Sequence, residues 1–263
     1  LHLSIRRQRQ MCIRDRFMYK ATGWGDAYPR YDAQNNKSTK TAAGWSQAKP
    51  VYLLSDKATI WAYYPYNQAV ADGTKVPVPI NAGTSVDYMW GKSTNQVSVI
   101  ETDAVIPMKH ALSQLVIRLK VSPEYHNDGN LTSAKLKSKA AKFGTSGTMN
   151  LNDNGRIIFS PTSTELSWTP NTTIPAQGNP SVDFAAAIYP MSLASGEVSM
   201  EVVIDGATYT YSIPQISWEA GKRYIYSITM RSNDAEIGGE NGQSVTIEPW
   251  GSSESDVTLV PVK

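Results

Sequence analysis

The sequence predicts an all-β protein of two sandwiches, and three observations carry that prediction. Residues 115–121 place Leu115, Ile117, Leu119 and Val121 on one face of a period-two run, with Val116, Arg118 and Lys120 between them, the pattern of a half-buried strand. Asp205-Gly206 joins two more alternating runs, and that dipeptide supplies the positive φ angles of a two-residue type I′ turn. From Phe17 onward the chain is a series of short β-type runs separated by turn residues, with little sustained helical period.

The elements follow in order. "ATIWAYYPY" (58–66) is aromatic-rich and ends at a proline, as a strand near a sheet edge does. "VPVPI" (76–80) reads as an extended edge or linker, because two prolines remove ladder donors. "NQVSVI" (95–100) alternates, and Met108–Gln114 leads into the 115–121 strand. Residues 131–143 alternate Ala134, Leu136, Ser138 and Ala140 with Lys135, Lys137 and Lys139. That run is read as a strand with a lysine face, with a short helix as the alternative since Ala and Lys are good helix formers, and lysines on an edge strand block edge-to-edge pairing. "NLNDNGRIIF" (150–159) holds a turn and then a strand, and the Ser, Thr and Pro of 160–180 predict a long loop. Val198–Ile204 and Ala207–Ile213 form the Asp-Gly hairpin, and "RYIYSITM" (223–230), "SVTIEPW" (244–250) and "SDVTLVPVK" (255–263) complete the series. The expected organisation is an N-terminal sandwich over residues 17–155 and a C-terminal one over 156–263.

Residues 1–16 stand apart, with five arginines in sixteen positions. The string Met11-Cys12-Ile13-Arg14-Asp15 is one that translated metagenomic assemblies carry over from sequencing adapters. Residues 1–16 are therefore expected to be non-native and are set aside from fold reasoning. On that reading a signal peptide or lipidation site is missing, and no small-residue run precedes Cys12 as it does a lipidated cysteine.

Composition narrows the function classes. Apolar residues at 41% can build a core, while a net charge of +2 is too small to argue for nucleic acid. No apolar run approaches membrane-spanning length. The single cysteine excludes an internal disulfide and a cysteine-rich zinc site.

Catalytic constellations are sparse. Outside residues 1–16 the histidines are His110 and His126, and neither sits in a nucleophile motif. His110 reads as a packing or hydrogen-bonding residue and His126 as a solvated turn residue. "LNDNG" and "HNDGN" are oxygen-rich but lack the spacing and closing glutamate of a calcium loop, and Asx-Gly turns account for both. Nothing in the pattern pairs Asp56, Asp87, Glu101 or Glu197 for glycoside hydrolysis. The triplets beginning at Asn130 and Asn171 mark surface loops. Trp90 in "DYMWG" is a candidate exposed aromatic for stacking on a sugar, set against core packing. No cofactor is expected, and a binding or structural protein is favoured over an enzyme.

Several segments together resemble the fimbrillin-like (Mfa-like) proteins of Bacteroidales. "ATIWAYYPY", "DYMWGKS" and His110-Ala111-Leu112 through Leu119 follow the order of that family's elements, as do "AAAIYP" (185–190), "WEAGKRYIYSITM" (218–230) and "VTIEPW" (245–250). The resemblance covers roughly residues 17–250, and its specificity lies in the ordered set. It implies two transthyretin-like Greek-key β-sandwich domains in a secreted, cell-surface lipoprotein of the outer membrane. It also implies a structural or accessory subunit of type V pili that mediates adhesion and partners with other pilus subunits. Membrane contact would run only through a lipid anchor, and a host or bacterial surface glycan or protein would be the adhesion target. Assembly is by strand exchange: an N-terminal strand is removed by a protease cutting after arginine, and a neighbour's C-terminal strand fills the groove.

In this sequence Arg14 and Arg16 fall within the segment set aside, and Arg30 in "AYPRYDA" is a candidate processing site. "DVTLVPVK" offers a candidate donor strand, with Val257 and Leu259 on one face and Val260 and Val262 on the other. Burying those side chains is worth roughly 6–12 kcal/mol before ordering costs. Pro261 interrupts its ladder, and the same residues serve equally as the closing strand of their own domain. A surface carbohydrate-binding β-sandwich lipoprotein is the alternative function.

Overall fold

The structure, a computed structural model, describes residues 13–26, 28, 34–42, 44–80, 86–122, 128–175, 181–230, 235–237, 245–250 and 258–259. The all-β expectation holds: the described residues contain strands and no α-helix. The first group is β1 (Ile13–Lys20), β2 (Gln34–Thr41), β3 (Gly44–Gln47), β4 (Ala58–Tyr64), β5 (Val76–Pro79), β6 (Met89–Lys92), β7 (Ala104–Val105) and β8 (Met108–His110). Then come β9 (Ser113–Val121), β10 (Gly129–Ser138), β11 (Ser146–Asn150), β12 (Arg156–Phe159), β13 (Glu165–Trp168) and β14 (Thr172–Ile174). β15 (Val182–Ile188), β16 (Met191–Leu193), β17 (Val198–Ile204), β18 (Ala207–Ser212) and β19 (Ile216–Trp218) follow. The series closes with β20 (Lys222–Met230), β21 (Ala235–Ile237), β22 (Thr246–Pro249) and β23 (Thr258–Leu259).

One sheet runs β3-β2-β1-β4-β6-β8, and a second, β12-β11-β5, packs against it. Both faces of the six-stranded sheet are covered. Phe17, Trp61, Tyr63 and Trp90 face β5 and β11 with Val76, Val78 and Met149, while Met18, Ile60, Ala62 and Met108 form a separate cluster on the other face. That double burial explains why β4 reads as an unbroken apolar run, and it places β4 between β1 and β6 rather than near an edge. β5 does form an edge, as its prolines require.

The other core lies between the sheets β13-β10-β17-β18 and β15-β9-β20-β21. β9 is central, antiparallel to β15 and parallel to β20 from Arg223↔Gln114 to Met230↔Val121. Leu115, Ile117 and Leu119 enter this core, as their alternation predicts. β9 and β10, N-terminal to the 155/156 division expected above, pair with strands C-terminal to it, and β12 pairs back with β11.

Four local readings are corrected. β10 is an internal strand, so its lysines do not guard an edge; Lys135 and Lys137 pair instead with Glu165 and Glu201 on the flanking strands β13 and β17. Residues 160–180 contain β13 and β14, which need only the edge of β10 as a template. Residues 95–100 form no strand beyond a bridge at Val97, because the Ser98 hydroxyl accepts from Ile100 and Glu101 N–H and turns the chain. Asn130, expected in a surface loop, lies in β10; Asn171, with φ 46°, does lie outside the strands.

Candidate assembly groove

β1 is hydrogen-bonded along both sides. It pairs with β2 from Ile13↔Thr39 to Phe17↔Gln34, and with β4 from Asp15↔Tyr63 to Lys20↔Ala58. The strand therefore begins inside the arginine-rich segment set aside on sequence. Its side chains serve both clusters. Phe17 is fully buried against Tyr63 and Trp24, with ring centroids at 6.2 and 6.3 Å, and Met18 is buried on the opposite face. Each such side chain contributes about 2–3 kcal/mol by burial. A bulge between Arg16 and Phe17 shifts the register against β2, and the Gln34 side chain there donates to Met18 O at 2.7 Å. Burial raises the Tyr19 phenol above its ordinary range, and Asp72 adds to the shift. Taking β1 away would leave β2 and β4 as facing open edges with apolar walls.

Arg16 and Met18 also line a cleft with Asn36, Val51, Ile60 and Ala104. Its volume is about 30 Å³, room for a water or two and too little for a sugar ring. The described part of the C-terminal segment lies close by: Thr258↔Val105 and Leu259↔Ala104 pair β23 with β7. Of the four candidate donor residues, Leu259 is placed in this strand; Val257, Val260 and Val262 lie outside the described residues, as do Arg30 and His126.

The other candidate residues separate. Trp90 is not a surface aromatic: it is 9% exposed within the first core, and a methyl group at Gly155 would sit 2.1 Å from its Cδ1. Lys109 also approaches the ring, at 5.5 Å from its centroid. Asp56 pairs with Lys20, Glu101 contacts Asn95, and Glu197 pairs with Lys142. These acids do not come together.

His110 and Asp87 do meet, at 2.8 Å from Nδ1 to Oδ1, because the β6–β8 pairing sets Met89 opposite His110. A histidine–aspartate pair is part of a nucleophilic triad. Among the described residues, however, the histidine ring has no hydroxyl partner and lies against Trp250, with centroids at 4.6 Å and planes 9° apart. The neighbouring backbone closes the same knot. Gly221 N–H donates to Leu112 O at 2.9 Å, and Trp250 N–H donates to Gly221 O at 2.7 Å. Among the described residues no three His, Cys, Asp or Glu side chains gather to hold a metal. Among the same residues no helix is long and apolar enough to cross a membrane.

The residues in this knot come from segments that carried the family resemblance, and the comparison bears it out: the profile described as fimbrillin-like matches residues 14–250. The chain belongs to the fimbrillin-like family. Solved structures share the fold. A candidate cell adhesion protein from Bacteroides ovatus aligns at TM-score 0.69 and 18% identity, covering 93% of this chain and 89% of that one. A fimbrial protein from Bacteroides vulgatus aligns at 0.55 and 16%, covering 90% and 93%. The C-terminally truncated tip fimbrial protein Mfa3 from Porphyromonas gingivalis aligns at 0.51 and 9%, covering 92% and 95%. Against curated protein sequences the chain finds no match.

Proposed function

We propose that this fimbrillin-like chain is a non-catalytic structural or accessory subunit of a cell-surface fimbria, assembled with other pilus subunits by β-strand exchange and serving adhesion. The observation that carries the proposal is the position of β1, inside a sheet and hydrogen-bonded on both sides. A strand so placed, followed in sequence by an arginine, is one that a single cut could release. Cleavage after Arg30 frees all of Ile13–Lys20, whereas cleavage after Arg14 or Arg16 leaves Phe17 and Met18 holding the groove. Arg16 is also 6% exposed and within the ladder, which shields it from a protease.

The replacement strand we assign to the C-terminal segment of a neighbour, residues 256–263. Main-chain bonds to β2 and β4 would supply affinity, and alternate side chains in the places of Phe17 and Met18 would supply register. Attachment to the outer membrane would run through a lipid anchor.

The test is to introduce a specific protease site within residues 21–26, cut, partially unfold and refold. The cut chain should form oligomers, and the same cut chain lacking 256–263 should stay monomeric while binding an added peptide of residues 255–263 in the vacated groove. Cut chains that remain monomeric, or oligomers indifferent to removal of 256–263, would overturn strand exchange.

A further inference from the structure

The sheet β13-β10-β17-β18 ends at β18, and no strand among the described residues pairs with its outer side. We infer that this outer edge is a self-association site, where β18 pairs antiparallel with β18 of a second copy of the chain about a two-fold axis at Thr210.

Ladder geometry fixes which groups face outward. The two-residue turn makes Ile204↔Ala207 a hydrogen-bonded pair, so Val202↔Tyr209 and Met200↔Tyr211 are hydrogen-bonded in turn. The next such step is seen directly, with Ile213 N–H donating to Val198 O at 3.0 Å. Thr208, Thr210 and Ser212 lie between these steps, so their N–H and C=O groups point away from β17.

Edge strands are ordinarily blunted by charge, proline, a bulge or brevity. The other edges show such devices. β5 carries Pro77 and Pro79, β13 is short and carries Glu165, and β15 carries Asp183 in an ion pair with Arg118. β18 reads Ala-Thr-Tyr-Thr-Tyr-Ser, with no charge, no proline and an unbroken register against β17.

The occupant follows from the strand's own chemistry. Centred on Thr210, the two-fold pairs Thr210 with its own copy and Thr208 with Ser212, small hydroxyls facing small hydroxyls on the solvent side. It pairs Tyr209 with Tyr211 on the other side, in the closer, non-hydrogen-bonded steps where cross-strand aromatics gain most. Tyr209 and Tyr211 already pack against the core, partly buried. No like charges oppose one another in this register. A strand of unlike chemistry would need a charge or a pocket to select it, and β18 offers neither. Six residues of pairing cover far less than the ~800 Å² per partner of a stable complex. The association is therefore weak and reversible, in roughly the micromolar-to-millimolar range.

The experiment uses the uncut chain, so its outcome is independent of strand exchange. Sedimentation velocity over a concentration series should show a reversible dimer. Thr210→Pro removes only an outward donor and Thr210→Lys sets like charges opposite each other. Both should weaken dimerisation at least tenfold with unchanged circular dichroism; if the proline variant melts early, the lysine variant decides. In a Cys12→Ser background, Thr210→Cys should cross-link to itself under mild oxidant, its Cα atoms being about 5.5 Å apart. Thr208→Cys should not, since its copies are about 13 Å apart, whereas Thr208→Cys mixed with Ser212→Cys should. A monomer at every concentration, a dimer unaffected by both Thr210 variants, or equal cross-linking of Thr208→Cys and Thr210→Cys overturns the proposal.

Discussion

His110 joins parts of the chain far apart in sequence. Its ring stacks on Trp250 and its Nδ1 bonds Asp87, with the histidine side chain 14% exposed and the aspartate 34%. An aromatic pair contributes about 0.5–1.5 kcal/mol, and the bond to a partly exposed carboxylate adds about 1 kcal/mol after screening. His110→Ala should therefore lower unfolding stability by roughly 2 kcal/mol, a drop of about 5 °C in melting temperature for a chain of this size. His110→Phe keeps the stack and should lose about half as much. Urea melts of the three proteins measure both; equal loss in the two variants would mean that stacking contributes nothing. The bland reading of His110 was available from its surroundings in sequence, a loop entering a core strand. Its partners were not, because Asp87 and Trp250 meet it only through β6–β8 pairing and the closing segment.

Among the elements, turns separate what a local dipeptide encodes from what packing adds. Gly155 and Gly206 both follow an Asx residue at positive φ, and their own φ angles are 68° and 81°. Alanine at either position incurs the left-handed backbone penalty, about 1–2 kcal/mol. At 206 nothing lies within 4 Å of the added carbon, whereas at 155 it collides with the Trp90 ring at 2.1 Å. Gly206→Ala should cost about 1 kcal/mol, and Gly155→Ala more than about 3 kcal/mol as the indole is displaced. Equal costs in denaturant unfolding would show that Trp90 can yield. The β17–β18 hairpin was legible because pattern, turn and partner lie within sixteen residues. The β9–β20 parallel pair was legible only as two strands; nothing local says that residues 114 and 223 are neighbours. β13 and β14 escaped notice because short strands laid on an existing edge need little intrinsic preference. Trp90 reads alike in sequence whether exposed or buried, and the turn of β11–β12 decides the matter by covering it.

At the scale of the whole molecule, the tyrosine-rich composition becomes a statement about alkaline stability. Tyr189, Tyr224 and Tyr226 are at most 1% exposed. Burial raises all three phenols above their ordinary value of 10.0, with neighbouring tyrosines adding for Tyr189 and Tyr226. Their hydroxyls are engaged in two parts of the fold. Tyr189 donates to Val78 O, Tyr224 donates to Ser217 O at 2.6 Å, and the Trp218 indole donates to Tyr226 at 3.3 Å. A group whose folded pKa is raised contributes stability that is fully present below the unfolded value and is lost as pH rises beyond it. The pH window is therefore alkaline: stability should hold up to pH 10 and fall with increasing slope above it, as the unfolded chain sheds phenolic protons that the folded chain keeps. Phenolate absorbance and β-sheet circular dichroism, followed together in a pH titration, test this. The buried phenols should ionise only as the sheet signal disappears. Tyr226→Phe should flatten the pH dependence above 10. Full phenolate absorbance with the sheet signal intact would mean that the phenols are reached by water in the folded state, and that the two cores are less closed than their burial implies.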